Sequence, residues 1–402
     1  MECENRLDEF IELEEYLNKT KVIYLYGCIP AAGPLIEQTE WIIKKCYGDN
    51  TIIFVDRSLQ KQKTGYLEKE VISPEVFRQG IERNNGIVVV LPDGQAGKEI
   101  WEGLCSWGIK RKLQAYNIYD FNRIMSIMIY SQYHKVYFHF CDLFLQTNCN
   151  LNCCDCFVQT YRNVRLTIDE RQLKENIDLL FKKIDYIGII VFGIAEGFWD
   201  TRQLEFALKY TTEKYSNKFM IIEITTNGTI VPEESLLEVL KQSRVRIVVD
   251  DYRENVVLAQ KNYLKVIQTL KKNNIACSSL KRDHWDKTFF GTEEIRETRE
   301  ELRDKYKNCC NHAKGFPYVG YKAGTARLFP CVFQTINAYL GLIEEKESDS
   351  IDLEISNSVD VIKFVLGYTE RGYLSACKYC QGIFEGVEVN HIPVAVQKES
   401  ET

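Results

Sequence analysis

The sequence predicts an α/β protein with parallel sheets, and two observations support this fold class. Short apolar runs alternate with helical patterns along most of the 402 residues, and repeated strand and helix units of this kind form parallel sheets with right-handed crossovers. Glycine-rich or cysteine-rich segments follow several apolar runs, at the strand ends where parallel sheets bind ligands. The length exceeds that of one ordinary core, so we expect three domains, residues 1–125, 126–300 and 301–402.

The composition narrows the class of function. Hydrophobic residues make up 45% of the chain and charged residues 27%, as in globular proteins. The formal charge of −6 indicates no basic surface for nucleic acid, and no apolar run approaches the length of a membrane span. The first residues carry no apolar secretion signal, so we expect a cytoplasmic protein without a membrane partner. In that setting the 15 cysteines favour metal ligation over disulfide bonds.

The first domain begins with an apolar strand from Lys21 to Tyr26 that runs into Gly27. A helical pattern follows, and a second strand from Thr51 to Val55 ends in Asp56. A strand, a glycine turn, a helix and a strand that ends in an acid form the outline of a Rossmann-like nucleotide-binding domain. The glycine fingerprint is incomplete, because Gly27 and Gly33 stand alone where G-x-G-x-x-G is needed. Both a nucleotide site and a scaffold without a nucleotide therefore remain open.

The central domain continues the alternation of strands and helices. An apolar strand from Lys135 to Leu145 precedes a cysteine-rich loop. Further strand patterns cover Tyr186 to Phe192, Phe219 to Thr225, Val245 to Val249 and Ile275 to Leu280. Helical patterns separate them, so we expect a parallel sheet that curls into a full or partial (β/α) barrel.

The cysteine-rich loop runs from Cys149 to Cys156 and reads Cys-Asn-Leu-Asn-Cys-Cys-Asp-Cys. Taken as Cys149, Cys153 and Cys156, the spacing is CxxxCxxC. Three thiolates can hold three corners of a 4Fe-4S cluster and leave the fourth iron open, whereas a closed cluster normally takes four cysteines. The alternatives are a zinc knuckle or buried thiols, although a zinc site usually shows paired CxxC motifs or a nearby histidine.

At this loop the sequence resembles the radical S-adenosylmethionine (radical SAM) superfamily, whose hallmark is this spacing after the first barrel strand. The preceding Thr147 and the Cys149-Asn150-Leu151 run match that pattern. The resemblance implies a partial TIM-type barrel, a 4Fe-4S cluster on Cys149, Cys153 and Cys156, and bound SAM. It also implies a reducing partner such as flavodoxin or ferredoxin, and cleavage of SAM to a 5′-deoxyadenosyl radical that abstracts hydrogen from a substrate C–H bond.

Two later strand ends resemble further motifs of the superfamily. Glu196 stands where members carry Gly-Gly-Glu-Pro, and the resemblance implies that it binds the SAM amino group. Thr226 and Asn227 belong to a Thr-Asn-Gly run whose side chains face the SAM ribose and sulfonium in members. An ordinary Asn-Gly turn is the alternative for this run.

Other positions depart from the superfamily pattern or lie beyond it. Members usually carry an aromatic residue near adenine just before the third cysteine, but this chain has Asp155, so Phe157 becomes the candidate for that contact. Asp250 and Asp251 follow the fourth strand, where they can take a proton from substrate. A solvated turn is the alternative for these two acids.

The last domain, residues 301–402, contains a second set of cysteines. Cys310 or its neighbour Cys309, together with Cys331, Cys377 and Cys380, gives four ligands, enough for one auxiliary 4Fe-4S cluster. This set resembles the Twitch domain, a shortened relative of SPASM domains. A zinc tetrahedron is the alternative, because it needs the same number of ligands.

Together these resemblances imply an oxidation or dehydrogenation of a small carbohydrate-type substrate: a sugar, cyclitol or nucleotide-sugar. The Rossmann-like first domain favours this substrate class over peptides. A peptide-modifying radical SAM maturase is the second hypothesis. A non-catalytic iron-sulfur or zinc protein is the hypothesis of another class, and it predicts no SAM cleavage.

Overall fold

The computed structural model describes residues 5–30, 32–81, 83, 85–156, 168–286, 293–309, 318–319, 326–382 and 391–398. The chain divides into two compact units, Met1–His139 and Phe140–Thr402. The two larger sheets are built mainly of parallel strands, so the predicted α/β class is confirmed. Within the described ranges, no helix combines the length and apolar character that a membrane crossing requires.

The first unit contains a parallel sheet with the strand order β3-β2-β1-β4-β5. This is the strand order of a Rossmann-type sheet: strands are added on one side of β1 up to β3, and β4 and β5 are then added on its other side. The strands are β1 (Val22–Tyr26), β2 (Thr51–Val55), β3 (Val71–Ile72), β4 (Ile87–Val90) and β5 (Ala115–Asn117). The helices are α1 (Asn5–Leu17), α2 (Ala32–Lys45), α3 (Leu59–Thr64), α4 (Pro74–Gly80), α5 (Gly94–Ser106) and α6 (Ile118–Tyr133).

The strands of this first sheet are apolar on both faces. Every residue of β4 is buried, as expected for a parallel strand with helices packed on each side. Three of the helices begin at a side chain that accepts a backbone hydrogen bond, namely Ser58, Ser73 and Asn117. These capping residues mark in the sequence where three helices of the first unit begin.

The second unit is built on a sheet of order β10-β9-β8-β7-β6-β12-β13-β14. Its first strands are β6 (Tyr137–Gln146), β7 (Tyr186–Ile194), β8 (Phe219–Thr226), β9 (Val245–Asp250) and β10 (Ala276–Leu280). They are neighbours in the order in which the chain makes them, which is the arrangement of a (β/α) barrel. The helices among them are α7 (Glu170–Lys183), α8 (Thr201–Tyr215), α9 (Glu234–Gln242) and α10 (Val257–Lys272).

Each of these helices covers the sheet with one apolar stripe. In α7 the buried residues are Leu173, Ile177, Leu180 and Phe181, spaced by three or four positions along one face. Asp169 caps this helix by accepting a hydrogen bond from the Gln172 amide at 2.8 Å. The stripe fixes which face of α7 meets the sheet.

Short strands from the last hundred residues extend the same sheet. β12 (Tyr318–Val319) pairs in parallel with β6, and β13 (Arg327–Phe329) and β14 (Ile351–Asp352) add antiparallel pairs. β11 (Trp285–Asp286) and β15 (His391–Ile392) pair with each other. The other helices among the described residues are α11 (Arg299–Asn308), α12 (Val332–Leu340) and α13 (Ser358–Val365), with 3-10 turns at Glu347–Asp349 and Ser375–Tyr379.

The compact units do not follow the domain limits expected from sequence. The expected limit after residue 125 falls inside α6, and the units divide after residue 139. Residues 301–402 share a sheet with the central strands. The division into domains 1–125, 126–300 and 301–402 therefore stays a prediction.

Candidate functional site

The carboxyl ends of β6, β7, β8 and β9 bring together the predicted residues of the central domain. These four strands are neighbours in the sheet, so the segments that follow them meet at one edge. The segment after β6 is the cysteine loop, residues 147–156. Glu196 follows β7, Asn227 follows β8, and Asp250 ends β9.

Three thiols of the cysteine loop share one apolar cluster. Cys149, Cys153 and Cys156 pack there with Leu151, whose amide donates a hydrogen bond to Cys149 Sγ at 3.4 Å. Burial raises the pKa of Cys149 to about 11 and that of Cys153 to about 12, and neighbouring thiols add to both shifts. A positively charged iron would reverse this effect by stabilising thiolates. The residues therefore fit a cluster bound by three cysteines.

Asp155 makes the turn between the second and third of these cysteines. Its φ of 53° lies in the left-handed region, which aspartate tolerates better than bulky side chains do. The side chain is exposed, so this position serves the backbone turn. Phe157, the proposed substitute for the adenine contact, lies outside the described residues, and that contact stays a prediction.

Glu196 is buried, with 2% of its surface exposed. Its Oε1 accepts hydrogen bonds from Thr226 Oγ1 at 2.6 Å and from the Phe198 amide at 3.0 Å, and its Oε2 accepts one from the Asn227 amide at 2.7 Å. Burial raises the pKa of Glu196, and these three donors offset only part of that rise. An ionised carboxylate has about four acceptor positions, so Oε2 retains capacity for an ammonium group.

Gly197 explains part of the departure from the Gly-Gly-Glu-Pro pattern. A Cβ at this position would lie 2.7 Å from Ile224 Cγ2 and 3.0 Å from the Thr225 carbonyl oxygen. Such distances are too short for any side chain. The close approach of β8 therefore requires glycine directly after Glu196.

Asn227 links the loop after β8 to the cysteine loop. Its Nδ2 donates to Asn150 Oδ1 at 3.0 Å and lies 3.8 Å from Cys149 Sγ, and its Oδ1 accepts from the Thr229 amide at 3.0 Å. Asn150 Nδ2 in turn donates to Thr229 Oγ1 at 2.8 Å. The Asn227 amide therefore faces the cysteine loop, while its predicted contact with SAM stays a prediction. Sequence reasoning missed Thr229 and gave Asn150 no role of its own.

The two acids at the end of β9 differ in environment. Asp250 Oδ2 accepts a hydrogen bond from the Tyr252 hydroxyl at 2.8 Å, and its Oδ1 lies 3.7 Å from Arg282 Nε. Burial raises the pKa of Asp250 despite these partners. Asp251 instead accepts two hydrogen bonds from the Arg253 side chain, at 2.8 and 2.7 Å, and one from the Arg253 amide at 3.3 Å, and these bonds lower its pKa. Asp250 is therefore the better proton acceptor.

The second cysteine set lines a small cavity of about 30 Å³. Its sulfur-bearing residues are Cys309, Cys331, Cys377 and Cys380. Burial raises the pKa of Cys377 to about 12 and that of Cys380 to about 11, and nearby thiols contribute to both. These four residues fit a cluster with four thiolate ligands, and a zinc site needs the same number. Cys310, the first ligand in the predicted set, lies outside the described residues.

Lys305 is a further residue of this cavity that sequence reasoning missed. It is 7% exposed, forms an ion pair with Glu297, and donates a hydrogen bond to the Cys380 carbonyl oxygen at 2.7 Å. Its positive charge opposes the rise in the pKa of Cys377 and Cys380. A cation here would offset part of the negative charge that four thiolates bring. Among the described residues, no group of three or more His, Cys, Asp or Glu side chains is arranged to hold a single metal ion, so the fit of both cysteine sets rests on the type and number of their ligands.

The first sheet also has a candidate ligand edge, but its polar groups satisfy one another. Asp56 accepts hydrogen bonds from the amides of Cys28 at 3.0 Å and Ser58 at 2.8 Å, and from Lys61 Nζ at 3.2 Å. A Cβ on Gly27 would lie 2.5 Å from a side-chain atom of Pro92, so this glycine permits close packing. Gly27 and Asp56, the two elements of the predicted nucleotide motif, thus both contribute to the packing and hydrogen bonding of the first unit.

No family model matches the chain, and no curated protein sequence matches it. Among solved structures it is similar to BtrN in complex with AdoMet and 2-DOIA, at 16% identity and a TM-score of 0.39, over 67% of this chain and 98% of that one. It is similar to anSMEcpe with bound AdoMet and the Cp18Cys peptide at 15% identity and a TM-score of 0.30, over 36% and 43%. It is also similar to Streptococcus suis SuiB bound to S-adenosylmethionine, at 15% and 0.28, over 52% and 47%.

The matches to anSMEcpe and SuiB thus span less than half of those chains. All three of these structures contain S-adenosylmethionine, abbreviated AdoMet for the first two.

Proposed function

We propose that the chain is a radical SAM enzyme that oxidises or dehydrogenates a small carbohydrate-type substrate. The observation that carries the proposal is the convergence of Cys149, Glu196 and Asn227 from three different strand ends. Asn227 donates its backbone amide to Glu196 and turns its side chain toward Cys149. A chance CxxxCxxC spacing would not require a buried carboxylate and an asparagine beside its first cysteine.

Residues at the carboxyl ends of β6 to β9 have separate roles in the proposed binding of SAM. A reduced cluster on Cys149, Cys153 and Cys156 supplies, when bound, the electron that cleaves SAM to methionine and a 5′-deoxyadenosyl radical. Glu196 would hold the SAM ammonium, since Oε2 accepts one hydrogen bond from the described residues and retains acceptor capacity. Because the three donors that it already holds are neutral groups, a cation is the partner that a buried carboxylate gains most from.

Asp250 serves as the base for the oxidation. It ends the neighbouring strand β9, its pKa is raised by burial, and its buried Oδ1 accepts no hydrogen bond from the described residues. That oxygen can take the proton that a substrate loses as it is oxidised. An auxiliary cluster on the second cysteine set would accept the accompanying electron, and flavodoxin or ferredoxin would reduce the first cluster.

The face of the second sheet supports a hydroxyl-rich substrate over an apolar one. Glu223 on β8 lies opposite Arg246 on β9 and accepts a hydrogen bond from its Nε at 3.0 Å. Asp142 on β6 lies near enough for Glu223 to add to the effect of burial, which raises the pKa of Asp142 to about 7. Ile222 and Ile224, which point to the other face, are fully buried. A peptide-modifying maturase is the second candidate, since such charges also bind polar side chains.

The test is SAM cleavage by the anaerobically reconstituted full chain under dithionite, measured as 5′-deoxyadenosine. The proposal predicts 5′-deoxyadenosine in excess over the cluster-free protein. A panel of sugars, aminocyclitols and short peptides then separates the two substrate classes by which member yields a product. Iron-loaded protein that forms no 5′-deoxyadenosine would support the non-catalytic hypothesis instead.

A further inference from the structure

Residues 394–398 lie against the cysteine loop although they are distant from it in sequence. Cys153 and Gln397 form an antiparallel bridge. The Cys154 amide donates to the Val396 carbonyl oxygen at 2.6 Å, and the Lys398 amide donates to the Asn152 carbonyl oxygen at 2.7 Å. The loop that carries the predicted iron ligands is therefore paired with this segment at residues 152–154.

The side chain of Gln397 reaches a ligand sulfur. Its Nε2 donates to Cys153 Sγ at 3.1 Å and to the Ala395 carbonyl oxygen at 2.8 Å, and its Oε1 accepts from the Asn152 amide at 2.9 Å. The two backbone partners fix which end of the amide faces the sulfur, because Oε1 must meet an N–H donor and Nε2 a carbonyl oxygen. The group that faces Cys153 is therefore an N–H donor.

Packing holds this segment in place. Ala395 is fully buried in the apolar cluster that contains Leu151 and Cys153. Its φ of 54° is in the left-handed region, a conformation that a non-glycine residue keeps only where its surroundings hold it. Asn255 Nδ2 donates to the Val394 carbonyl oxygen at 2.7 Å, so the segment is also tied to the start of α10.

We propose that residues 394–398 form one wall of the cluster site and that Gln397 is a positioning residue for Cys153. This inference rests on the proposed cluster at Cys149, Cys153 and Cys156. An N–H donor stabilises the negative charge that sulfur gains when a cluster is reduced, so the hydrogen bond raises the reduction potential. The same contacts hold the loop in shape before iron arrives.

The first arm of the test uses metal-free protein and amide hydrogen exchange. Gln397→Leu keeps the size of the side chain but removes the partner of the Asn152 amide, so that amide should exchange at least several-fold faster. The Cys154 amide, which is bonded to a backbone oxygen, should stay protected. Removal of residues 394–402 should expose both amides, while peptides from β8 report whether the second sheet stays folded.

Lys398→Ala is the matched control, because the Lys398 side chain is exposed and only its backbone meets the loop. It should leave both amides protected. Unchanged exchange of Asn152 in Gln397→Leu, or unchanged exchange of Cys154 after removal of 394–402, would overturn the proposed wall. Because this arm uses metal-free protein, its result is independent of whether the chain binds a cluster and cleaves SAM.

The second arm measures the reduction potential of the reconstituted cluster by redox titration followed by electron paramagnetic resonance. Gln397→Leu should shift the potential to more negative values. Gln397→Glu should shift it further, because it replaces the donor with a negative charge. Equal potentials in wild type and both variants, at equal iron content, would overturn the role of Gln397. If wild type itself holds no cluster, the proposed function fails while the exchange result stands.

Discussion

Two parallel sheets in this protein present similar carboxyl edges, and they differ in how their charges are satisfied. At the edge of the first sheet, burial works against the ionisation of Asp56, but two backbone amides and Lys61 hold its pKa below the usual range. At the edge of the second sheet, burial raises the pKa of Glu196, and only neutral groups donate to it. At the first edge, protein groups alone satisfy the Asp56 carboxylate. At the second edge, a cation beside Glu196 and iron beside the thiols would stabilise the ionised forms that burial disfavours. Two sheets with similar edges can therefore differ in their need for a ligand, and strand order alone does not identify a ligand site.

The largest effect that we expect concerns the second cysteine set. Replacement of Cys331, Cys377 and Cys380 with alanine should reduce the iron content from about eight to about four atoms, because one of two four-iron clusters is lost. Cleavage of SAM should persist, since the edge at β6–β9 remains. With any substrate that wild type converts, the ratio of product to 5′-deoxyadenosine should fall to background.

The control for this triple replacement is Cys105→Ala, which removes an exposed thiol in the first unit. A triple variant that lacks the second cluster and keeps the wild-type product ratio would show that the reaction is redox-neutral and that these cysteines serve structure.

The next effect concerns the buried carboxylate. Glu196→Ala removes an acceptor for the SAM ammonium, and we expect a loss of about 1.5 to 3 kcal/mol in SAM binding, the range for one charge-assisted hydrogen bond. This corresponds to roughly a ten- to 150-fold weaker affinity, measured by equilibrium dialysis. The iron content should not change.

Glu213→Ala, on the exposed face of α8, should bind SAM as wild type does. Undiminished affinity in a Glu196→Ala variant with its full iron content would assign the ammonium to another residue.

A smaller effect is expected at the first edge. Asp56→Asn weakens a local network, so it should lower the free energy of unfolding by about 1 kcal/mol, with the partly exposed Lys61 contributing little. SAM affinity should stay at the wild-type value, because this edge has no part in the proposed site. A large loss of SAM affinity in a folded Asp56→Asn variant would contradict the distinction between the two edges.

The smallest effect is a pH dependence with opposite sign at the two edges. A carboxyl whose pKa is lowered by folding stabilises the protein above its unfolded pKa, and this contribution is lost as the pH falls. Asp56 is such a group, whereas the pKa of Asp250 is raised by burial. Its contribution is greatest at low pH and declines as the pH rises past the ordinary aspartate value of about 3.9.

Urea unfolding at a series of pH values measures both trends. Relative to Asp56→Asn, wild type should lose stability as the pH falls. Relative to Asp250→Asn, it should lose stability as the pH rises. The same direction for both variants would mean that the two carboxyls do not differ as described.

Much of the fold could be predicted from sequence because strand and helix patterns are local. The predicted strand from Tyr186 to Phe192 corresponds to β7, and Val245 to Val249 corresponds to β9, each within two residues. Helix α7 was not predicted, and neither was the pairing of β12 with β6. The pairing joins residues more than 170 positions apart, so no local pattern carries it.

The candidate site was predictable only in part, for the same reason. The cysteines stand out by their CxxxCxxC spacing, and Glu196 stands out by its place in a run that resembles a superfamily motif. Gln397 does not, since a glutamine in a polar segment carries no signal until the chain folds and brings it 3.1 Å from Cys153 Sγ. Lys305 is similar, because its burial depends on the packing of α11 against the second cysteine set.

The central claim is that the second edge holds a cluster on three cysteines and that SAM is cleaved there. Its most direct test compares wild type, the Cys149/Cys153/Cys156→Ala triple variant and Cys154→Ala, each reconstituted anaerobically and reduced with dithionite. We expect the triple variant to lose about four irons and all 5′-deoxyadenosine formation, while Cys154→Ala, in the same loop, keeps both. Unchanged iron in the triple variant, or stoichiometric zinc in the wild type, would contradict the account.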